Sequence, residues 1–467
     1  MSKNKSGWMA TGAEHATYGL FWLGQNLIWG IAGKVPTFLT DLGIEAGLAA
    51  TILLTPKIWD AVNDMLFGYV VDRFRWKNGK QFMPWIKLGV AGLVISVIFM
   101  FFVPRGLSQN ARIAWFIFGY LIFDCFYTFQ DAPAFSMSIS MTTNIQERTA
   151  FISSNKLWAM VGGTMATVVL PLIRPHIGWG WSAVVFCAVG GAMMIPYLFC
   201  GQERHHVTEE EKEEKYTFRQ MIGYLKTNKY LFAALIAMFI FGMTSIESTT
   251  AIYLARICLG AESKATIVSG FVAVPVIVVS ALIPKLAKKV DKFWILVFGL
   301  LISIVTGVIA FFVGYDNFWV CCTFIGLKCM GMAVWQVIIY MLVADTTEYG
   351  TYKSGTRATG ITFALQCFIA KMKGAFLASF VLFSLSLIGF VEGENAVQPA
   401  GVADGLFGMF IFIPIAGYVL ALAILLLFYK LRDKSVQVMA TYNNGEISYE
   451  ECMAQIGDEF GEPAIVR

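Results

Sequence analysis

Charged residues are scarce in this chain. Asp, Glu, Lys and Arg make up 14% of its 467 residues, whereas 57% are hydrophobic, and an ordinary soluble domain carries about 25% charged residues. Histidine is rarer still, with 4 in the chain. The adjacent His205 and His206 have no neighbours at metal-ligand or nucleophile spacing. These shortages argue against a soluble domain, an enzyme or a nucleic-acid-binding protein, so we expect no catalytic residue.

Cysteine spacing is equally uninformative about chemistry. The 9 cysteines lie mostly in or beside apolar runs, and Cys321 and Cys322 are adjacent rather than part of a C-x-x-C pair. This pattern predicts small buried residues and no disulfide framework. We expect no bound cofactor.

Long apolar runs are what the sequence has instead. A run of about 20 apolar residues predicts a membrane-spanning helix. The polar start "MSKNKSG" leads directly into an apolar stretch that is too long for a signal peptide, so we expect no cleavage there. Twelve candidate spans lie at 17–40, 48–71, 84–103, 112–135, 151–173, 179–200, 228–257, 264–284, 293–313, 317–343, 357–390 and 404–430.

A polar segment divides these spans six and six. We predict a first six-helix half at 1–200, a cytoplasmic linker at 201–227, a second half at 228–430 and a cytoplasmic tail at 431–467. Within the linker, "YTFRQMIGYL" has the pattern of an amphipathic surface helix. This layout resembles that of the major facilitator superfamily. Members of this superfamily have an all-α membrane fold in which two halves move around a site near the bilayer midplane.

Lys and Arg predict the orientation. The connections 72–83, 285–292 and 344–357 carry basic residues, whereas 41–47 and 391–403 carry none. Basic loops stay in the cytoplasm. We therefore expect a multi-pass protein of the plasma (inner) membrane with both termini cytoplasmic.

The second span contains polar residues on one face. Lys57, Asp60, Asn63 and Asp64 are spaced i, i+3, i+6 and i+7, which places them on the same side of a helix. A charged side chain inside the membrane costs about 2.5–3.5 kcal/mol, so each needs a partner or a purpose. Asp60 could pair with Lys57, and Asp64 could anchor the turn that follows.

The fourth span repeats this arrangement with Asp124, Thr128 and Asp131 at i, i+4 and i+7. Carboxylate, amide and hydroxyl oxygens are hard ligands that suit a hard cation. An asparagine and a threonine add nothing to a proton relay, but they do add oxygens to a sodium shell. The two spans together therefore favour a cation site.

The second half offers fewer intramembrane charges. Glu247 and Lys328 could pair across helices, and Lys371 lies well inside its span. Lys373 is two residues further on and faces roughly the opposite way, so it receives no role. Trp335 could stack on a sugar or simply pack against its neighbours.

Five stretches of the sequence carry recognisable motifs. They are "KIWDAVNDMLFGYVVDRFRWKNGKQFMPW" (57–85), "YTFQDAPAFS" (127–136), "QERTAF" (146–151), "VADTTEYGTYKSGTR" (343–357) and "LQCFIAKMKGAF" (365–376). Together they thread nearly the whole length of the chain, and they resemble the glycoside–pentoside–hexuronide:cation symporter family, the melibiose permease group of the major facilitator superfamily.

The resemblance implies a coupling cation. The family's cation positions match Asp60, Asn63, Asp64 and Thr128, and each keeps a ligating side chain. Na⁺ held at Asp60 and Asp64 is the favoured ion, with H⁺ or Li⁺ as alternatives. Lys57 matches a basic position beside that site.

The resemblance also implies a sugar site, with departures from the melibiose branch. Asn26 stands where that branch has a carboxylate, Phe135 replaces a tryptophan, and Lys156, which could instead extend to the cytoplasmic surface, replaces an arginine. The loss of a carboxylate favours an anionic sugar such as a hexuronide, with a neutral glycoside or pentoside as the alternative. The matching positions are Asn26, Tyr127, Asp131, Phe135, Lys156, Trp335, Gln366 and Lys371.

The expected function is cation-coupled sugar uptake by alternating access. Cytoplasmic pairs such as Asp72 with Arg73 and Glu348 with Arg357 would hold the outward-facing state. The expected partners are the sugar, a monovalent cation and membrane lipid, with no nucleic acid, and a monomer should suffice. An uncoupled sugar uniporter, or an H⁺-coupled transporter of another small organic solute, is the alternative.

Overall fold

A computed structural model describes residues 8–54, 59, 63, 76, 80–104, 106–204, 218–355, 359–394 and 396–464. Every regular element within these residues is helical. Six predicted site or gating residues lie outside the described residues: Lys57, Asp60, Asp64, Asp72, Arg73 and Arg357.

The helices are numbered in chain order. They are α1 (Gly12–Ala32), α2 (Val35–Asp41), α3 (46–54), α4 (Met83–Phe101), α5 (Gln109–Ser140), α6 (Ile145–Cys200), α7 (Phe218–Thr227), α8 (Lys229–Thr244), α9 (Glu247–Ile257), α10 (Lys264–Leu286), α11 (Lys292–Val313), α12 (Phe318–Ser354), α13 (Thr359–Leu387), α14 (Val402–Phe428), α15 (Asp433–Asn443), α16 (Tyr449–Ile456) and a short 3₁₀-helix (Gly457–Phe460).

Nine helical stretches within the described residues are long and apolar enough to cross a membrane. They match predicted spans one to one, except that α6 covers the fifth and sixth. Gly178 interrupts α6 with φ 74° and ψ 177°, a conformation that glycine adopts without steric cost. Helices α1 and α2 occupy the first predicted span, and most of the second lies outside the described residues. The count of twelve stays a prediction.

Side-chain caps fix where several helices begin. Thr11 accepts from the Glu14 backbone at the start of α1, and Glu14 returns the bond to the Thr11 backbone. At the starts of α6, α11 and α12, the side chains of Asn144, Asp291 and Asn317 accept hydrogen bonds from backbone N–H groups of the first turn, without the return bond. Each cap satisfies backbone N–H groups that have no partner within the helix. The helix predicted for "YTFRQMIGYL" in the linker is present as α7, and its position at the membrane surface stays a prediction.

The chain divides into two compact units, and each is described by itself. Unit 1 comprises Met1–Lys212, Ala251–Ile267 and Val381–Val402. In unit 1, α1 packs closely on α6 because glycines line the contact. A Cβ atom at Gly24 would collide with the carbonyl oxygen of Gly190, and one at Gly162 would collide with that of Leu23. Small residues allow membrane helices to approach closely.

Unit 2 comprises Glu213–Thr250, Val268–Phe380 and Ala403–Arg467. Its core includes the C-terminal tail, which folds back onto α12. The Tyr352 hydroxyl donates to the Gly461 carbonyl at 2.9 Å, and the Asn443 amide donates to the Glu348 carboxylate at 3.0 Å. Phe460 is buried in the same core. The tail is thus an ordered part of unit 2.

Candidate functional site

The predicted cation site is partly visible in unit 1. Asn63 is fully buried, and its Nδ2 donates to Asp124 Oδ2 at 3.0 Å and to Thr128 Oγ1 at 3.1 Å. Asp124 and Thr128 are also buried and lie one turn apart on α5. The structure therefore brings together two of the four predicted ligands, while Asp60 and Asp64 lie outside the described residues.

Asn63 has one open hydrogen-bonding position at this point. Its Oδ1 is buried and accepts no hydrogen bond from the described part of the chain. Rotation of the amide about its last side-chain torsion would exchange the positions of Oδ1 and Nδ2. The amide oxygen Oδ1 would then face Asp124 and Thr128. The cluster then presents carboxylate, amide and hydroxyl oxygens, the donor set that a hard cation prefers.

The sequence placed Asp124 on the polar face of the fourth span but did not include it among the four predicted cation ligands. Its spacing with Thr128 and Asp131 already indicated a shared helical face, but the family resemblance did not include it. The burial of Asp124 and its bond from Asn63 make it a candidate ligand. The signal was the i, i+4 spacing with Thr128.

Two of the predicted sugar-binding residues of unit 1, Asn26 and Asp131, belong to a second polar cluster. The Gln25 amide donates to Asp131 Oδ1 at 2.7 Å. The neighbouring Asn26 amide donates to the Trp22 carbonyl at 2.9 Å and to Gln25 Oε1 at 3.3 Å. Asp131 and Thr128 lie on α5 three residues apart, so the sugar and cation clusters share a helix.

The remaining predicted sugar-binding residues of unit 1 have aromatic or basic side chains. The Tyr127 ring lies 4.6 Å from that of Trp29, centroid to centroid. Phe135 is 41% exposed, and Lys156 is exposed on α6. These side chains are accessible, as a binding surface requires, but their role stays a prediction.

Unit 2 contains a cavity of about 280 Å³, close to the lower end of small-molecule sites, which begin at about 300 Å³. Trp335, predicted from the sequence, lines it. So does Lys373, which the sequence left without a role. The complete lining is Met238, Phe241, Ser245, Met332, Trp335, Gln336, Ile339, Tyr340 and Lys373.

Gln366 and Lys371 share α13 with Lys373 but are outside this lining. Gln366 is half-buried, with an amide oxygen that accepts no hydrogen bond from the described residues. Lys371 is exposed. Their predicted sugar contacts stay predictions.

Phe241 and Trp335 form an aromatic wall of the cavity, and their stack continues to Tyr418, which is outside the lining. Phe241 lies parallel to Trp335 at 4.2 Å and to Tyr418 at 5.1 Å between centroids. Trp335 is 3% exposed, so the structure shows it packed against its neighbours, and its contact with a sugar stays a prediction. Such a stack is rigid because each ring is held on a face by its neighbour.

Behind this wall lies the predicted ion pair between Glu247 and Lys328, which the structure confirms. Lys328 Nζ is 3.3 Å from Glu247 Oε1, and both side chains are at most 2% exposed. Lys328 also donates to the Phe410 carbonyl at 3.0 Å, and the Tyr418 hydroxyl donates to Glu247 at 3.1 Å. The pair therefore anchors the last ring of the stack.

Unit 1 also contains a network of ion pairs built around two arginines. Arg174 pairs with Asp41 at 3.2 Å, Glu262 at 3.1 Å and Glu394 at 2.9 Å. Arg256 pairs with Asp41 at 2.6 Å and Glu262 at 2.9 Å. Burial raises the pKa of Glu262, and the two arginines oppose that shift. The network joins residues from the first and second halves of the sequence.

At the predicted cytoplasmic end of unit 2, Lys292 pairs with Asp345 at 2.6 Å and with Asp433 at 3.2 Å. The sequence had instead suggested Glu348 with Arg357. Glu348 accepts from Asn443, and Arg357 lies outside the described residues. Asp345 belongs to the stretch "VADTTEYGTYKSGTR", so the signal was present, but its partner 53 residues away was not predictable.

Solved transporter structures share this arrangement of helices. A bacterial homolog of the human lysosomal transporter Spinster, in its inward-facing and unoccupied conformation, matches with a TM-score of 0.63 at 16% identity, covering 89% of this chain and 95% of that chain. The nucleoside transporter NupG matches with a TM-score of 0.62 at 13% identity, covering 90% of this chain and 100% of that chain. At such identities the likeness concerns the fold alone.

The chain belongs to the family described as MFS/sugar transport protein, which it matches over residues 8–433. This confirms the predicted fold class and family: the protein is a multi-pass membrane transporter and not an enzyme.

Relatives from several bacteria match most of its length. The uncharacterized symporter YnaJ of Bacillus subtilis (strain 168) is 27% identical, covering 89% of this chain and 90% of the relative. The isoprimeverose transporter of Lactiplantibacillus pentosus is 26% identical, covering 92% and 91% respectively. The glucuronide carrier protein homolog of Escherichia coli (strain K12) is 26% identical, covering 85% and 88%.

Proposed function

We propose that this protein is a cation-coupled sugar symporter that takes up a glycoside, pentoside or hexuronide, with Na⁺ as the favoured ion. The observation that carries the proposal is the buried cluster of Asn63, Asp124 and Thr128 in unit 1. A buried carboxylate beside an amide and a hydroxyl offers the hard oxygen ligands that suit a small hard cation.

The proposed cation shell combines Asp60 and Asp64 with the described cluster. Asn63 and Thr128 supply neutral oxygens, and Asp124 supplies a further carboxylate. Na⁺ is cargo here and not a resident cofactor, with Li⁺ and H⁺ as alternatives. Binding would neutralise part of the negative charge, and this would permit the site to be buried during the transport cycle.

The proposed sugar site lies on the same helix. Asp131 would hold the sugar, with Gln25 and Asn26 beside it. Because α5 carries both Thr128 and Asp131, ordering of one cluster would order the other. Each ligand should then raise the affinity for the other by the same factor.

Related proteins support the sugar class. One relative is named an isoprimeverose transporter and another a glucuronide carrier homolog, so both neutral and anionic sugars occur among the relatives. We favour an anionic sugar because Asn26 replaces a carboxylate.

Transport would proceed by alternating access in the plasma membrane, with both termini cytoplasmic and one copy sufficient. The Arg174–Arg256 network and the pair of Lys292 with Asp345 are the proposed contacts that break and re-form in each cycle. An ion pair suits this use because it is strong when the site excludes water and weak once water enters.

The test is uptake by the purified protein in liposomes. A panel of neutral glycosides, pentosides and hexuronides would be compared under an inward Na⁺ gradient, an inward H⁺ gradient and none. We expect Na⁺-driven accumulation of one of these sugars, and its loss in Asp64→Cys. Uptake that equilibrates but ignores both gradients would instead establish an uncoupled uniporter.

A further inference from the structure

Lys373 occupies an unusual position for a lysine. It is the middle residue of the 29-residue helix α13, which places it about 20 Å from either end at 1.5 Å per residue. A lysine stem is much shorter than that, so the ammonium group cannot reach the membrane surface by extending along the helix.

No acidic side chain compensates this charge within the described part of the chain. Lys328, another intramembrane lysine of unit 2, has Glu247 as its acidic partner. Lys373 has neither an ion pair nor a hydrogen bond to any described residue. Charged residues in membrane helices are costly and mark ligand pathways.

The stem of Lys373 is held in place by packing. A Cβ atom at Gly242 on α8 would overlap the Cβ, Cγ and Cδ carbons of Lys373. The glycine therefore provides the space through which the side chain passes. A long flexible side chain with a fixed stem loses little further entropy when its ammonium group binds a ligand.

The surroundings of Lys373 suit a sugar. The same cavity is lined by Trp335, Gln336, Ser245 and Tyr340, which carry an aromatic ring, an amide and two hydroxyl groups. An aromatic ring packs against the C–H face of a sugar, and the polar groups bind hydroxyls. A lysine adds a single positive charge with three donors.

From these observations we propose that Lys373 binds the acidic group of an anionic sugar and sets the preference for uronides over neutral glycosides. The inference rests on the proposed sugar transport. It assigns the charge to Lys373 and not to Lys371, which lies outside the cavity lining.

The test is Na⁺-driven uptake of a hexuronide and of a matched neutral methyl glycoside by wild type and Lys373→Gln. Glutamine keeps the three stem carbons that pass Gly242 but removes the charge. We expect the apparent affinity for the uronide to fall about 10- to 100-fold, as for loss of a charge-assisted hydrogen bond, while the neutral glycoside is little affected. Lys373→Arg should retain the preference for the uronide.

Two further variants sharpen the test. Lys285→Gln is the matched control, since Lys285 is exposed near the end of α10, and it should behave as wild type. Gly242→Ala leaves the charge intact but obstructs the stem, so it should also weaken uronide uptake. Thermal unfolding of each purified variant would separate misfolding from a specific loss.

The outcomes are distinguishable. Uronide uptake by Lys373→Gln equal to that of wild type, or loss of the preference in Lys371→Gln alone, would overturn the inference and leave sugar symport standing. Wild-type transport of neutral sugars without uronides would do the same. Absence of any sugar uptake by the wild type would instead contradict the proposed function itself.

Discussion

Lys328 and Lys373 are both lysines within membrane helices of unit 2, but their surroundings differ. Lys328 is fully buried, 3.3 Å from Glu247, and bonded to the Phe410 carbonyl. Lys373 is half-buried, lines a cavity and has no acidic partner in the described residues. A charge with an oppositely charged partner in the protein contributes to the stability of the fold. We expect a charge without such a partner to bind a ligand. The difference predicts opposite effects of mutation on stability and on transport.

The largest effect is expected when the compensated charge is removed. Lys328→Met leaves Glu247 buried without its cation, and removing one partner of such a pair costs about 3–5 kcal/mol. Thermal unfolding in detergent should therefore show a markedly lower melting temperature. Lys285→Met is the control for an exposed lysine, and adding Glu247→Gln should restore part of the loss. A wild-type melting temperature for Lys328→Met would remove the contrast with Lys373.

Asp124 in unit 1 extends the comparison to a buried acid. Its carboxylate accepts a hydrogen bond from Asn63 Nδ2 and belongs to the proposed cation shell, so we expect its charge to contribute to Na⁺ binding. In Asp124→Asn the Na⁺ concentration for half-maximal stimulation of uptake should rise about tenfold or more, because a charged ligand is lost. Asp316→Asn, an exposed aspartate, should change nothing. Unchanged Na⁺ dependence in Asp124→Asn would exclude Asp124 from the shell without excluding Asp60 and Asp64.

The smallest effect concerns Glu262, a buried acid with two arginine partners. Burial raises its pKa, so the folded protein holds this proton more tightly than the unfolded chain. Its contribution to stability is then full below the unfolded pKa and declines as pH rises through the folded pKa. Glu262→Gln should flatten that part of the melting temperature's dependence on pH, measured from acidic to neutral pH. Glu394→Gln, whose side chain is half-exposed, should leave the slope unchanged.

Most of the membrane-spanning helices could be predicted from the sequence, because such helices are long apolar runs and basic loops lie on one side of the membrane. The sequence also raised the pair of Glu247 with Lys328 as a possibility, because a charge in an apolar helix requires a partner or a purpose. The face shared by Asp124 and Thr128 followed from helical spacing. All of these depend on local periodicity or on charge balance.

Other features depended on packing between distant residues. Residues two positions apart point to opposite sides of a helix, so the sequence could not decide which of Lys371 and Lys373 faces a cavity when both sides of α13 are apolar. The space at Gly242 is what admits Lys373, and that contact spans 131 residues of sequence. The pairing of Asp345 with Lys292 could not be predicted either, because it also depends on packing between distant residues.

The most direct test of cation-coupled sugar transport is an equilibrium measurement of reciprocity. Calorimetry on the purified protein would give the sugar affinity with and without saturating Na⁺, and the Na⁺ affinity with and without saturating sugar. The account predicts that each ligand strengthens the other by the same factor, and that Asp64→Cys abolishes both effects. A sugar affinity that does not change with Na⁺ would contradict the coupling.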